Sequence, residues 1–318
     1  MAFYLVTGGA GFIGSNIVEA LLEKGERVRV IDNFSTGKRE NIAPFMGRIE
    51  LIESDILDMQ AVKEACQGID YILHQAALPS VPRSVADPMS SNRVNVDGTI
   101  NVLWAAKEAG VKRVVYAASS SAYGNQPTLP KREDMPANPL SPYAISKYAG
   151  ELYARVFYEI YGLSTISLRY FNVFGPRQDP DSQYAAVIPK FINAFMNGRS
   201  PVVFGDGEQS RDFTFVKNVA SANLLAAKAE GASGEVLNIA CGQRITLNQL
   251  IEKLRGIFNS SQEADYTDPR PGDVRHSLAD ISKAEQLLDY KPAFALEEGL
   301  KETVAYKPVE NYPFLSSD

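Results

Sequence analysis

The chain has little with which to build a metal centre: two histidines, His74 and His276, and two cysteines, Cys66 and Cys241, in 318 residues. Zinc and iron sites take three or four such ligands at short spacings, so no metal is expected. The cysteines lie far apart in sequence and form no disulfide framework, which suits a reducing compartment, and the cytoplasm is the expected location. Long apolar runs are missing too. No stretch approaches about 18 uninterrupted apolar residues, and the opening MAFYLVTGG carries no basic segment ahead of its apolar one, so neither membrane insertion nor export is expected. Positive charge is in short supply: 32 Lys+Arg stand against 38 Asp+Glu, with a formal charge of -6. That balance argues against nucleic acid or an anionic membrane as a partner, and any bound phosphate needs local donors. A Ser-His-Asp hydrolase could be built around His74, but the G-x-S-x-G turn that exposes such a serine is lacking.

What is present is rhythm. With 45% hydrophobic residues, a chain of this length buries a sizeable core, as one large domain or two interlocked ones. Short β-branched runs occur at FYLVT (3–7), RVRVID (27–32), RIELIES (48–54), DYILHQA (70–76), RVVYAAS (113–119) and STISLRYF (164–171). Between them lie helical patterns such as NIVEALLEKG (16–25) and TINVLWAAKEAG (99–110). The alternation predicts an α/β fold of Rossmann type, a doubly wound parallel sheet with helices on both faces. Beyond about residue 175 the pattern weakens and prolines punctuate loops. Residues 1–175 are read as a dinucleotide-binding domain, and 176–318 mainly as a smaller substrate-facing lobe, partly interleaved with the first, with a loose tail after Lys307.

The first strand runs into TGGAGFIG (7–14), where Gly8, Gly9, Gly11 and Gly14 satisfy G-x-x-G-x-x-G and G-x-G-x-x-G. Glycines allow a tight strand-to-helix turn and let a pyrophosphate approach the backbone, while the helix N-terminus supplies free N–H donors. Asp32 ends the next strand. Its carboxylate suits the adenosine ribose diol and repels a 2′-phosphate, so NAD is favoured over NADP. Asp55, after the third strand, reads as an adenine contact or as a helix cap.

Tyr143 and Lys147 are four residues apart in SPYAISKYAG, which puts them on one face of a helix. Fifteen tyrosines and fifteen lysines give about 0.7 such pairs by chance, so spacing alone decides nothing. The chemistry requires more: a phenol titrating near 10 acts as a base at neutral pH only beside positive charge. Ser119, Ser120 and Ser121, at the carboxyl end of the preceding strand, offer hydroxyls on the edge where such sheets bind ligands.

TGGAGFIG, DNFSTG, HQAA, ASSSAYG, YAISK, RYFNVFG, GDGEQSRDF and RPGDVRHS, in this order, resemble an extended short-chain dehydrogenase/reductase, and within that group a UDP-hexose 4-epimerase. The match spans nearly the whole chain. LPSVPRS, RYFNVFGPRQDP and YAAVIPK are most similar to the branch acting on UDP-N-acetylglucosamine and its galacto epimer. The resemblance implies NAD as cofactor, a UDP-sugar as substrate and a homodimer. It assigns Tyr143 as the base, Lys147 to the nicotinamide ribose and to lowering the tyrosine pKa, and Ser119, four before Tyr123, to the sugar O4. Ser120 and Ser121 become neighbours of the sugar. The implied cofactor set is Gly8, Gly11, Phe12, Ile13, Gly14, Asp32, Asn33, Ser35, Thr36, Gly37, Asp55, Ile56, Gln75, Ala76, Ala77, Asn95, Tyr143, Lys147, Tyr170 and Val173.

At the nucleotide-sugar end the same resemblance gives Arg211 and Arg270 to the diphosphate, Asp273 to the uridine ribose, Asn172 to the diphosphate or sugar, and Val203 with Phe204 to the uracil. Arginine's planar fork suits phosphate, although Arg211 beside Asp212 also reads as a surface ion pair. Ser277 stands where relatives restricted to plain hexoses resemble one another in carrying a bulky aromatic, so its small side chain implies room for a 2-N-acetyl group. Rival readings are few. A nucleotide-sugar 4,6-dehydratase would need an acid pair at Ser120 and Ser121. A UDP-glucuronate epimerase or decarboxylase would need a cation for the sugar carboxylate, which Arg83 could supply, and a non-enzymatic NAD-binding regulator has no use for Ser119, Tyr143 and Lys147 together.

Overall fold

The computed structural model describes residues 1–179, 186–269 and 274–307. The six apolar runs become β1 (Phe3–Thr7), β2 (Arg27–Asp32), β3 (Ile49–Glu53), β4 (Tyr71–His74), β5 (Arg113–Ser119) and β6 (Thr165–Tyr170). A further strand, Val236–Ile239, too short to stand out in the sequence, pairs parallel with β6 and completes a seven-stranded sheet. Every pairing in it is parallel, in the order β3-β2-β1-β4-β5-β6 and then Val236–Ile239. Parallel strands covered on both faces must be apolar throughout, and β1 and the middle of β5 are buried at every residue. The order reverses between β1 and β4. Open sheets of this kind leave a crevice at that point, outside the carboxyl ends of the strands.

Helices cover the two faces. On one, α1 (Phe12–Glu23) and the helix Val216–Lys228 pack together through Ile17, Leu21, Val219 and Ala222. On the other, helices Met59–Ala65 and Gly98–Glu108 meet through Val62, Ala65, Val102 and Ala106. Burying each such Val, Leu or Ile is worth about 1.5–3 kcal/mol, so the two faces hold the sheet rigid. Helix Val216–Lys228 and strand Val236–Ile239 come from the second half of the chain, yet they build the first sheet. The rest of that half has a core of its own, centred on Phe174, Phe191, Phe195, Phe213 and Phe215. Residues 81–92, which carry two prolines, fold as short helices Val81–Ala86 and Pro88–Asn92. Proline is tolerated there because the first helical turn has no partner for its N–H anyway.

Candidate active site

A cavity of about 760 Å³ opens at the carboxyl ends of β1, β2 and β4. Eighteen residues expected at the cofactor line it: Gly8, Gly11, Phe12, Ile13, Gly14, Asp32, Asn33, Ser35, Thr36, Gly37, Asp55, Ile56, Gln75, Ala76, Ala77, Tyr143, Lys147 and Tyr170. Its floor is the glycine loop. A Cβ on Gly14 would stand 2.1 Å from the Gly8 carbonyl oxygen, and one on Gly8, whose φ is +68°, would stand 2.8 Å from the backbone of Ala76. Only glycine lets the loop and α1 come this close. Gly11 occupies the N-cap of α1 without a capping side chain, so backbone N–H donors at that helix end are open to an anion. At the lip, Asp32 accepts from Ala10 N at 2.9 Å and Phe34 N at 2.8 Å. A carboxylate has about four acceptor positions, so capacity remains for a ribose diol. A backbone cradle for pyrophosphate and an acid at the ribose end fit a dinucleotide without a 2′-phosphate.

Side chains absent from the expected set brace this cavity. Tyr170 Oη and Gln75 meet Asn223 of helix Val216–Lys228, whose Nδ2 donates to Tyr170 Oη at 2.8 Å. His74 is fully enclosed: its Nδ1 is 2.6 Å from Thr7 Oγ1 and its Nε2 3.0 Å from Thr99 Oγ1. Thr99 already donates to Asn95 O, so it accepts from Nε2–H, and Thr7 donates to Nδ1. Burial, assisted by the nearby Lys147, holds the imidazole down to about 3. A neutral, doubly bonded histidine clamps β1 to β4; it is no catalytic base.

Tyr143 lies in the first turn of the helix Pro142–Tyr161. Ser141 caps that helix by accepting from Ala144 N at 3.1 Å, and Pro142 takes its first position. Lys147 follows one turn later, 4% exposed. Its Nζ lies 4.4 Å from the centre of the Tyr116 ring, and Tyr116 Oη donates to Lys147 O at 3.2 Å. Gly150 makes room for this packing, since a Cβ there would come within 2.3 Å of the Tyr116 oxygen. Two carboxylate-guanidinium bonds, Arg169 Nε and Nη2 to Glu151 at 2.8 and 2.6 Å, fasten the same helix to β6.

Ser119 ends β5 beside Tyr143, where its hydroxyl works to lower the pKa of the phenol. Its Oγ accepts from Ser121 Oγ at 2.8 Å and from Ser121 N at 3.2 Å. Burial raises the Tyr143 phenol above its ordinary value, and the nearby Ser119 hydroxyl opposes that rise. Burial also pulls the Lys147 ammonium down to about 7. The lowering of the phenol assigned to Lys147 is therefore not supplied by the polypeptide alone: desolvation dominates, and a lysine half neutral at pH 7 is a weak source of positive charge.

A second cavity, about 860 Å³, lies against the phenylalanine core. Asn172, Phe204 and Arg211 line it together, with Lys190 and Arg199, two cations that the sequence reading did not single out. The ion-pair reading of Arg211 with Asp212 fails. Asp212 is wholly buried and accepts from Cys241 N at 3.0 Å and Ala279 N at 3.2 Å, and burial lifts its carboxyl to about 6. Val203, expected at the uracil, is sealed in the core and does not line the cavity that Phe204 lines. Val173 lines the second cavity rather than the first. Asn95 is 1% exposed and its amide is spent on Leu78, accepting from N at 2.7 Å and donating to O at 3.1 Å, so it shapes the cavity wall from behind. Asp55 both lines the cavity and closes a turn by accepting from Leu57 N at 2.9 Å. Ser120 and Ser121 form the turn after β5, and Ser277 N donates to Ser210 O at 3.0 Å. Arg270, Asp273 and the tail after Lys307 lie outside the described residues.

No helix among the described residues is long and apolar enough to cross a membrane. The fold is shared with solved structures. The UDP-N-acetylglucosamine 4-epimerase of Methanobrevibacter ruminantium M1, in complex with UDP-N-acetylmuramic acid, superposes with a TM-score of 0.91 at 46% identity, covering 95% of this chain and 97% of that one. The UDP-glucose 4-epimerase of Thermotoga maritima with UDP-glucose gives 0.90 at 40% identity, over 96% and 98%. A putative UDP-glucose 4-epimerase of Methanocaldococcus jannaschii is 40% identical over 309 residues, 96% of this chain and 99% of that protein. The family model for NAD dependent epimerases and dehydratases matches residues 4–240. Glycine cradle, ribose-side acid, the Ser119–Tyr143 pair and this match agree, and the chain belongs to the NAD dependent epimerase/dehydratase family, with NAD as its cofactor.

Proposed function

We propose that this protein interconverts the C4 epimers of a UDP-hexose, taking UDP-N-acetylglucosamine and its galacto epimer and also the plain glucose and galactose pair. The observation that carries this reading is Tyr143 and Lys147, one helical turn apart, lining the glycine-floored cavity with Ser119 close enough to act on the phenol. Bound along that cavity, NAD supplies reversible acceptance of hydrogen and an electron pair, which makes C4 transiently a ketone. The chain's own residues do the rest. Tyr143 takes the proton of the C4 hydroxyl and later returns it, Ser119 holds O4 beside the phenol, and Lys147 anchors the ribose next to Tyr143. Asn172, Phe204 and Arg211 grip the nucleotide, so that the hexose can turn over and offer its other face. Strong contacts to the part that does not react and weak ones to the sugar favour inversion over release of a ketone.

Ser277 supports the acetylated branch. Ser210 Oγ meets His276 Nδ1 at 2.9 Å, and side chains alternate along extended backbone, so Arg211 and Ser277 share the opposite face. A serine there leaves space beside the diphosphate. Ser277→Tyr should abolish turnover of the acetylated pair and spare the plain pair; unchanged turnover of the acetylated sugar would defeat this assignment. UDP-glucuronate is the second reading, because Arg83 contributes a cation to the first cavity's wall. Separate incubation with UDP-glucose, UDP-N-acetylglucosamine and UDP-glucuronate, followed by resolution of the epimers, decides among them. A homodimer is also proposed: Ile145, Leu152, Val156 and Ile160 are exposed along helix Pro142–Tyr161. Apolar side chains at such spacing need a partner face, and light scattering tests it.

A further inference from the structure

Six non-glycine residues among those described adopt positive φ: Phe34, Ser80, Asn172, Arg177, Asn259 and Asp289. Asn259 and Asp289 are ordinary left-handed caps of helices. The other four gather around the two cavities, and Arg177, at φ +69°, is a long side chain on a backbone that favours glycine, asparagine and aspartate. Strain of this kind persists only where the surroundings enforce it. Here they do. Arg177 Nη2 reaches Glu19 Oε2 of α1 at 2.5 Å, with the arginine side chain 7% exposed. One residue earlier, Pro176 O accepts from Asn16 Nδ2 of α1 at 3.1 Å. Two ties therefore pin the segment 175–179 of the second lobe across α1, the helix whose N-terminus faces the dinucleotide cavity. The segment ends at Asp179, which lines that cavity, and Lys38 lines it from the opposite lip. Their charged atoms, Nζ and Oδ1, are 3.6 Å apart. Lys38 is itself fixed to the glycine loop by its N–H donating to Ala10 O at 3.0 Å.

We propose that residues 175–179 are a strap, anchored by Arg177–Glu19 and latched by Asp179–Lys38, that retains NAD between catalytic cycles. A cofactor that is restored at each turnover has no need to exchange, and a latch at the mouth slows its escape. The purpose of the strap rests on the redox-neutral cycle proposed above, whereas its test reads NAD binding alone and so stands or falls separately from the choice of sugar. The test is exchange of bound NAD: holoenzyme is mixed with excess isotopically labelled NAD and the label retained on the protein is followed by mass spectrometry. Opening an exposed pair such as Lys38–Asp179 should speed exchange about threefold in Lys38→Ala or Asp179→Ala, with the double variant no faster than either. Arg177→Ala, which frees the anchor, should speed it about tenfold or more, and Glu19→Gln serves as the second anchor variant if Arg177→Ala does not fold. Unchanged exchange in the latch and anchor variants, or latch effects that multiply, would overturn the strap.

Discussion

Lys147 makes burial measurable. Its ammonium is pulled from 10.5 to about 7 by desolvation in the fold. Between these values the unfolded chain binds a proton that the folded chain does not, so stability rises with pH through the window, and the full penalty is felt below about 7. The slope approaches about 1.4 kcal/mol per pH unit, with a ceiling of about 5 kcal/mol across the window. The large shifts of His74 and Asp212 fall elsewhere. His74, depressed to about 3, contributes stability that grows only up to 6.5. Asp212, raised to about 6, loses stability as pH climbs from 3.8 to 6 and is flat above. Between pH 7.5 and 8.5 Lys147 dominates, because the buried thiols of Cys66 and Cys241, raised from 9 to about 12 and about 11, lower stability mainly above pH 9. Thermal unfolding of NAD-free protein at these two values should show a gain of about 1 kcal/mol, roughly 2 °C in Tm for a chain of this size. Lys147→Met, which keeps the volume and removes the charge, should be more stable at pH 7.5 and show no rise. An equal rise in that variant, or none in the natural chain, would refute burial as the cause.

Tyr143→Phe should lower turnover by about 10² to 10⁴ while NAD content, read by absorbance after gel filtration, stays the same. Gly14→Ala forces a methyl to 2.1 Å from the Gly8 oxygen; it should destabilise by about 1–3 kcal/mol and lose bound NAD, seen in the same absorbance. Glu151→Leu leaves the Arg169 guanidinium, whose side chain is 4% exposed, buried without its partner at a cost of about 3–5 kcal/mol. Arg169→Met added to it should recover much of that loss in a denaturation midpoint.

Four central strands were legible in the sequence because burial on both faces forces apolar runs, β2 and the half-exposed edge strand β3 because apolar residues recur along them, and the glycine loop because no other residue fits between Gly8, Gly14 and Ala76. The strand Val236–Ile239 was not, since four residues carry no period that separates them from a core segment. Short helices at 81–92 were hidden by prolines that mark loops in most contexts but occupy first turns here. Asn223 reads as an ordinary polar position inside a helix; its role comes from Tyr170 and Gln75, distant in sequence and joined only by the fold. Asn95 and Val203 illustrate the opposite limit: a position beside a cavity can be inferred from a motif, but whether its side chain faces inward depends on packing that a linear pattern does not encode. The elevation of the Tyr143 phenol likewise follows from desolvation, which residue spacing cannot report.

The account rests on hydrogen leaving and returning to the same carbon within one pocket. UDP-hexose carrying deuterium at C4, incubated with the holoenzyme in ordinary water, tests this most directly by mass spectrometry and NMR of both epimers. Deuterium should remain at C4 of product and recovered substrate, with no reduced dinucleotide in solution. Loss of the label to solvent, or reduced dinucleotide accumulating in step with an oxidised sugar, would contradict it.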